Sequence, residues 1–111
     1  MSARAMSPML VAEVAERFKA LGEPARLQLL LALREGERTV TDLVSGTGLG
    51  QANVSKHLQQ LTAAGFVRRR KEGTFAFYAL ADKEAFALCD LMCGRIAADQ
   101  QRKRAGLRLA R

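Results

Sequence analysis

Residues 39–80 read TVTDLVSGTGLGQANVSKHLQQLTAAGFVRRRKEGTFAFYAL. Thr39, with Asp42 three residues on, has the spacing of a helix capping box in which Asp stands for the usual Glu. Val40, Leu43 and Val44 then fall on one side of a short helix. Gly46, Gly48 and Gly50 cluster around Leu49, so the chain can turn sharply while Leu49 plugs the gap between two helices. A longer helix follows over residues 51–64, with Val54, Leu58 and Leu61 as its inner stripe and Gly65 as its end. Residues 66–70 and 74–80 read as two strands joined by Lys71-Glu72-Gly73. Helix, turn, helix and basic hairpin in unbroken succession form a helix-turn-helix with a β-wing, a device for setting one helix in a DNA groove.

The flanking sequence supplies the rest of a mainly α domain. Ser7-Pro8 opens a first helix, with Ser7 as cap and Pro8 at the first helical position, and Leu10, Val14, Phe18 and Leu21 repeat at helical spacing. Gly22 ends it, and Pro24 opens a second helix over residues 24–34, whose expected core residues are Leu27, Leu30, Leu31 and Leu33. Asp82 opens a last helix of about 15 to 20 residues. Its apolar residues, Ala85, Phe86, Leu88, Leu91, Met92 and Ile96 among them, cover more than one side, so it should pack both its own domain and something else. The expected architecture is a winged helix-turn-helix of about five helices plus a two-stranded wing. It occupies residues 1–100 and is followed by a basic, flexible tail over 101–111 that carries Arg102, Lys103, Arg104, Arg108 and Arg111.

Eighteen Lys and Arg against eleven Asp and Glu leave a formal charge of +7 on 111 residues, which points to a polyanionic partner. An acidic protein or an anionic membrane would serve equally, so the positions of the charges must decide. Two cysteines are too few for a disulfide framework, the N-terminus lacks the apolar core of a signal peptide, and no apolar run approaches a membrane span. A reducing cytoplasm is the expected compartment, with no membrane partner.

The face of the longer helix carries Gln51, Ala52, Asn53, Ser55, Lys56, His57 and Gln59. Gln and Asn can bond adenine edges in a bidentate way, and a small Ala leaves room for a thymine methyl. Ser55 and Lys56 suit phosphate, which sets register rather than sequence. An isolated polar face would be ordinary helix surface; its place after the turn makes it a reading face. His57, the only histidine, lacks Cys, Asp or Glu neighbours at ligand spacing and is a poor metal ligand. It either joins the DNA-reading face or buttresses the helix from a half-buried position. On the wing, strand alternation sends Arg68 and Arg70 one way and Arg69 the other, with Lys71 at the tip. Arg68, Arg70 and Lys71 are the expected contacts to phosphate or minor groove, against the alternative that the charges only deter strand pairing.

The phrases LGEPARLQLLLAL, LGQANVSKHLQQLTAAGFV and RRRKEGTFAFYAL, in this order, resemble the ArsR/SmtB family of winged-helix repressors, over residues 18–80. The resemblance implies a homodimer joined through its first and last helices. It also implies operator DNA as partner and release by a metal, metalloid or thiol oxidant. It matches Arg26 to the family arginine of the second helix, where a structural ion pair is the other reading. The Cys-x-Cys pattern that family members commonly carry at the third helix corresponds to Thr39 and Thr41, which cannot replace thiolates for soft ions. The family's histidine-containing zinc site on the last helix has no histidine here.

Cys89 and Cys93 remain as candidate effector residues. Their i, i+4 spacing puts both sulfurs on one helical face, with β-carbons about 6 Å apart. Together they could clasp a soft metal or metalloid, with a dimer mate adding donors, or undergo oxidation or persulfidation. A direct disulfide within one helix would be strained, since disulfide β-carbons sit about 3.8 Å apart. The plainer reading makes both thiols small core hydrophobes in a dimer seam. A regulator without an effector keeps the DNA reading and drops the switch. A thiol-metal binding or redox-buffer protein with an incidental basic surface is the rival from another class. An enzyme is disfavoured because no acid–base pair, phosphate loop or partnered nucleophile can be found.

Overall fold

The computed structural model describes residues 6–109, with side chains through residue 106. The side chain of Arg108 and all of Arg111, both assigned to the expected tail, lie outside that range. The element order is α1 (Pro8–Leu21), α2 (Pro24–Leu33), β1 (Arg38–Thr39), α3 (Val40–Thr47), α4 (Gln51–Ala63), β2 (Val67–Glu72), β3 (Phe75–Leu80) and α5 (Glu84–Leu109). The chain divides after Ala81 into two compact units, the first holding α1 to β3 and the second α5.

Local chemistry places the ends. The Ser7 hydroxyl accepts from the Leu10 amide at 3.1 Å and caps α1. The Thr39 hydroxyl accepts from the Asp42 amide, and the Asp42 carboxylate accepts from the Thr39 amide, both at 3.1 Å, which completes the capping box of α3. The Thr39 backbone amide at its side chain holds the Asp42 carboxyl below its ordinary range. Gly48 ends α3 at φ +76°, a left-handed conformation that a β-carbon would strain.

The core of the first unit gathers Leu21, Leu29, Leu30, Leu33, Leu43, Val54, Leu58, Leu61, Val67 and Tyr78, with Leu49 packed against it from the turn. Val54, Leu58 and Leu61 are all fully buried, so α4 is held along its whole inner stripe. One core expectation fails. Leu31 is 54% exposed, and Leu29 takes the core place assigned to it. The second helix is leucine-rich on every side, so periodicity alone cannot choose its buried face.

The sheet has three antiparallel strands in the order β1-β3-β2, one more than the expected hairpin. Arg38 pairs with Tyr78 and Thr39 with Phe77. A strand of two residues carries no readable alternation, and Thr39 also serves as the cap of α3. Its φ of −85° and ψ of 168° suit both roles. Strand β2 includes Lys71 and Glu72, and Glu72 pairs with Phe75 across a tight turn that starts at Gly73, φ +60°. Lys71 is therefore a strand residue, not a turn residue.

In the second unit, α5 runs for 26 residues, beyond the point at Gln101 where the sequence suggests its end. Asp99 receives Arg95 at 3.5 Å and also Arg102, so ion pairs one turn to either side support the helix where apolar residues run out. Cations toward a helix C-terminus also complement its dipole. Among the described residues, no helix is long and apolar enough to cross a membrane.

Candidate nucleic-acid interface

Helices α3 and α4 are joined by Gly48, Leu49 and Gly50, and the buried stripe of α4 turns its opposite side outward. Gln51, Ala52, Asn53, Lys56 and Gln59 are exposed and Ser55 is half-buried, so six of the seven expected reading residues lie at or near the open surface of one helix. Lys56 has no ion-pair partner among the described residues. Its charge is available to a phosphate.

His57 departs from that group. It is half-buried on the flank of α4, and its Nδ1 lies 3.3 Å from Nη1 of Arg26. Of the two roles the sequence leaves open for it, the contact with Arg26 favours the buttress. Among the described residues, Arg26 makes no ion pair either. Its Nε donates to the Ala20 carbonyl at 2.5 Å and its Nη2 to the Lys19 carbonyl at 3.1 Å, both in the last turn of α1. Its Nη1 donates to Oε1 of Gln60 at 2.5 Å. Gln60 was not singled out by sequence; the signal available was its place three residues after His57 on the same flank.

The wing sorts its charges by strand register. Arg68, Arg70 and Glu72 share one face, and Val67, Arg69 and Lys71 the other. Arg70 is held by three partners. Its Nε and Nη2 bond both Glu37 oxygens at 3.1 and 2.9 Å, its Nη1 bonds Glu72 at 2.6 Å, and its guanidinium lies 4.8 Å from the centre of the Phe77 ring. The bidentate bond from Arg70 lowers the Glu37 pKa, and the two carboxylates raise that of Arg70. Arg70 is thus tied within the wing by two carboxylates and is not a free cation. Its charge is neutralised by Glu37, which precedes β1, and by its strand neighbour Glu72. Arg68 and Lys71 are exposed and make no ion pair among the described residues, as does Arg69, which was not among the expected contacts.

Cys89 is half-buried and Cys93 exposed, and both are free thiols on α5. They flank a strip formed by Leu88, Met92 and Ile96, which are 42%, 62% and 50% exposed, with Leu91 at 72% beside it. Among the described residues, no three His, Cys, Asp or Glu side chains gather at metal-binding range.

A three-helix core that presents α4 beside a basic three-stranded wing is a winged helix-turn-helix. The chain belongs to the arsR family of bacterial regulatory proteins, whose family model matches residues 23–69. It is 42% identical over 82 residues to the uncharacterized HTH-type transcriptional regulator MJ1325 of Methanocaldococcus jannaschii, a match spanning 70% of this chain and 92% of that protein. It is 37% identical over 93 residues to the HTH-type transcriptional regulator Rv0324 of Mycobacterium tuberculosis, covering 81% of this chain but only 41% of that longer protein. The solution structure of the homodimeric winged helix-turn-helix domain of Mb0332 from Mycobacterium bovis, described as a possible ArsR-family transcriptional regulator, superposes with a TM-score of 0.71. That pair shares 34% identity over 87% of this chain and 91% of that one.

Proposed function

We propose that this chain is a sequence-specific DNA-binding transcriptional regulator, a repressor, which acts as a homodimer on a near-palindromic operator. The observation that carries this reading is the outer face of α4: Gln51, Ala52, Asn53, Ser55, Lys56 and Gln59 on a helix whose opposite stripe is completely buried. Polar side chains on a rigidly anchored helix suit base edges and phosphates in a major groove. Arg68 and Lys71, exposed on the wing, supply further phosphate contacts. Met9, Val11 and Phe18 on α1 and Leu88, Leu91, Met92 and Ile96 on α5 are exposed, and a second copy is the occupant that covers them. The homodimeric relative Mb0332 supports that assignment. The test is titration of the DNA upstream of the chain's own gene against a scrambled duplex at several salt concentrations. Preference for the upstream DNA with a steep salt dependence is expected; equal binding to both duplexes would sink the sequence-specific reading.

Cys89 and Cys93 are the switch in this reading. Modification of the pair, or a soft metal or metalloid bound with donors from the second copy, changes the packing of the apolar strip they flank and lowers DNA affinity. The Cys89→Ser, Cys93→Ser variant should then stay on operator DNA when a thiol oxidant, a persulfide donor or trivalent arsenic releases the wild type. If both proteins are released alike, the cysteines are packing residues of a regulator that uses another signal or none. A thiol-metal or redox-buffer protein would show no sequence preference in the same titration.

A further inference from the structure

The planar fork of Arg26 joins three helices. It stands on α2, closes the last turn of α1 through the Lys19 and Ala20 carbonyls, and reaches α4 through His57 and Gln60. Beside it runs a groove of about 480 Å³, and the residues of α1 and α4 that line it are charged, amide or alanine side chains, Glu16, Lys19, Gln60 and Ala63 among them. Apolar packing of Val54, Leu58 and Leu61 fixes how deeply α4 sits, but such contacts are non-directional. Hydrogen bonds to two residues one turn apart on a single flank are directional and fix its roll. Lys56 and Gln59 each precede one of the tied residues in sequence. A rotation of about 10° on a helix of roughly 5–6 Å radius moves the side chains by about 1 Å. That is enough to spoil bidentate contact with a base edge while leaving a phosphate contact almost unchanged.

We infer that Arg26 is the positioning residue that sets the roll of α4, and that it governs sequence discrimination without touching DNA. This rests on the DNA-binding reading above. Arginine has only N–H donors, so in this contact Nδ1 of His57 is the acceptor, and a lysine, which lacks the fork, cannot reach α1 and both α4 partners together.

The test compares wild type, Arg26→Lys and His57→Ala on the upstream operator and a scrambled duplex across a salt series, with circular dichroism confirming the folded fraction. For Arg26→Lys, operator affinity should fall about tenfold or more, while scrambled-duplex affinity and the salt slope hold. His57→Ala removes one arm and keeps the α1 contacts, so its loss should have the same pattern and a smaller size; it decides the matter if Arg26→Lys does not fold. An equal fall on both duplexes with a salt slope reduced by about one would make Arg26 a phosphate contact and overturn the inference. Unchanged discrimination in both variants would overturn it as well. A wild type without operator preference would instead defeat the DNA-binding reading itself, which separates the two failures.

Discussion

Helices α4 and α5 each carry an apolar stripe at helical spacing, and they use it in opposite ways. Val54, Leu58 and Leu61 of α4 are completely buried, whereas Leu88, Met92 and Ile96 of α5 stand 42–62% exposed. The first stripe is satisfied within the chain, so the polar side of α4 is rigidly displayed. The second is left open within the chain, so α5 offers an apolar strip for a partner to cover. Anchoring and association are thus separated along the chain, and substitutions should separate them too.

The largest effect is expected in the core of α4. Leu58→Ala should cost about 2–5 kcal/mol of unfolding free energy in urea titration. A loss of less than about 1 kcal/mol would show that the stripe does not anchor the helix. Next, Leu91→Glu with Met92→Glu should leave unfolding of the dissociated chain within about 0.5 kcal/mol per substitution but abolish dimer formation in sedimentation velocity. An intact dimer would put the interface elsewhere. On the display side of α4, Lys56→Ala should weaken binding to operator and scrambled duplex alike and reduce the salt slope by about one. A selective loss on the operator would give Lys56 a base contact instead.

The smallest effect belongs to the wing. The folded-state pKa of Glu37 is depressed by Arg70, so the stability from this pair is present above the ordinary glutamate range and is lost as pH falls through the depressed value. Glu37→Gln should therefore flatten the fall in thermal midpoint between about pH 5 and pH 3 and change little near neutrality. Both groups are half exposed, so the effect is modest. An unchanged acid-side slope would count against the pair.

Much of the contrast is legible in the chain itself. Val54, Leu58 and Leu61 are spaced at i, i+4 and i+7 among polar residues, and Gly65 follows, so the inner face and end of α4 can be read directly. Thr39 and Asp42 announce the start of α3 in the same way. The partners are what local pattern cannot supply. Arg70 meets Glu37 across 33 residues and Arg26 meets His57 across 31, and nothing in either neighbourhood specifies the other. In consequence, Arg70 reads as a free wing cation, and the two roles open to His57 stay undecided until the fold is known. The apolar richness of α2 hides its buried face, and the short β1 lies below the length at which alternation can be seen.

The double duty of Thr39 bears on how the molecule can move. The same residue pairs with Phe77 in the sheet and caps α3, and two residues before it Glu37 grips Arg70 on the next strand but one. No spacer separates β1 from α3. The two behave as a bolted joint, a single jaw with no hinge of its own. If that jaw closes on a duplex whose groove spacing differs from its own, the strain falls on the nucleic acid, and the energy needed to deform a given base sequence becomes part of what the protein selects.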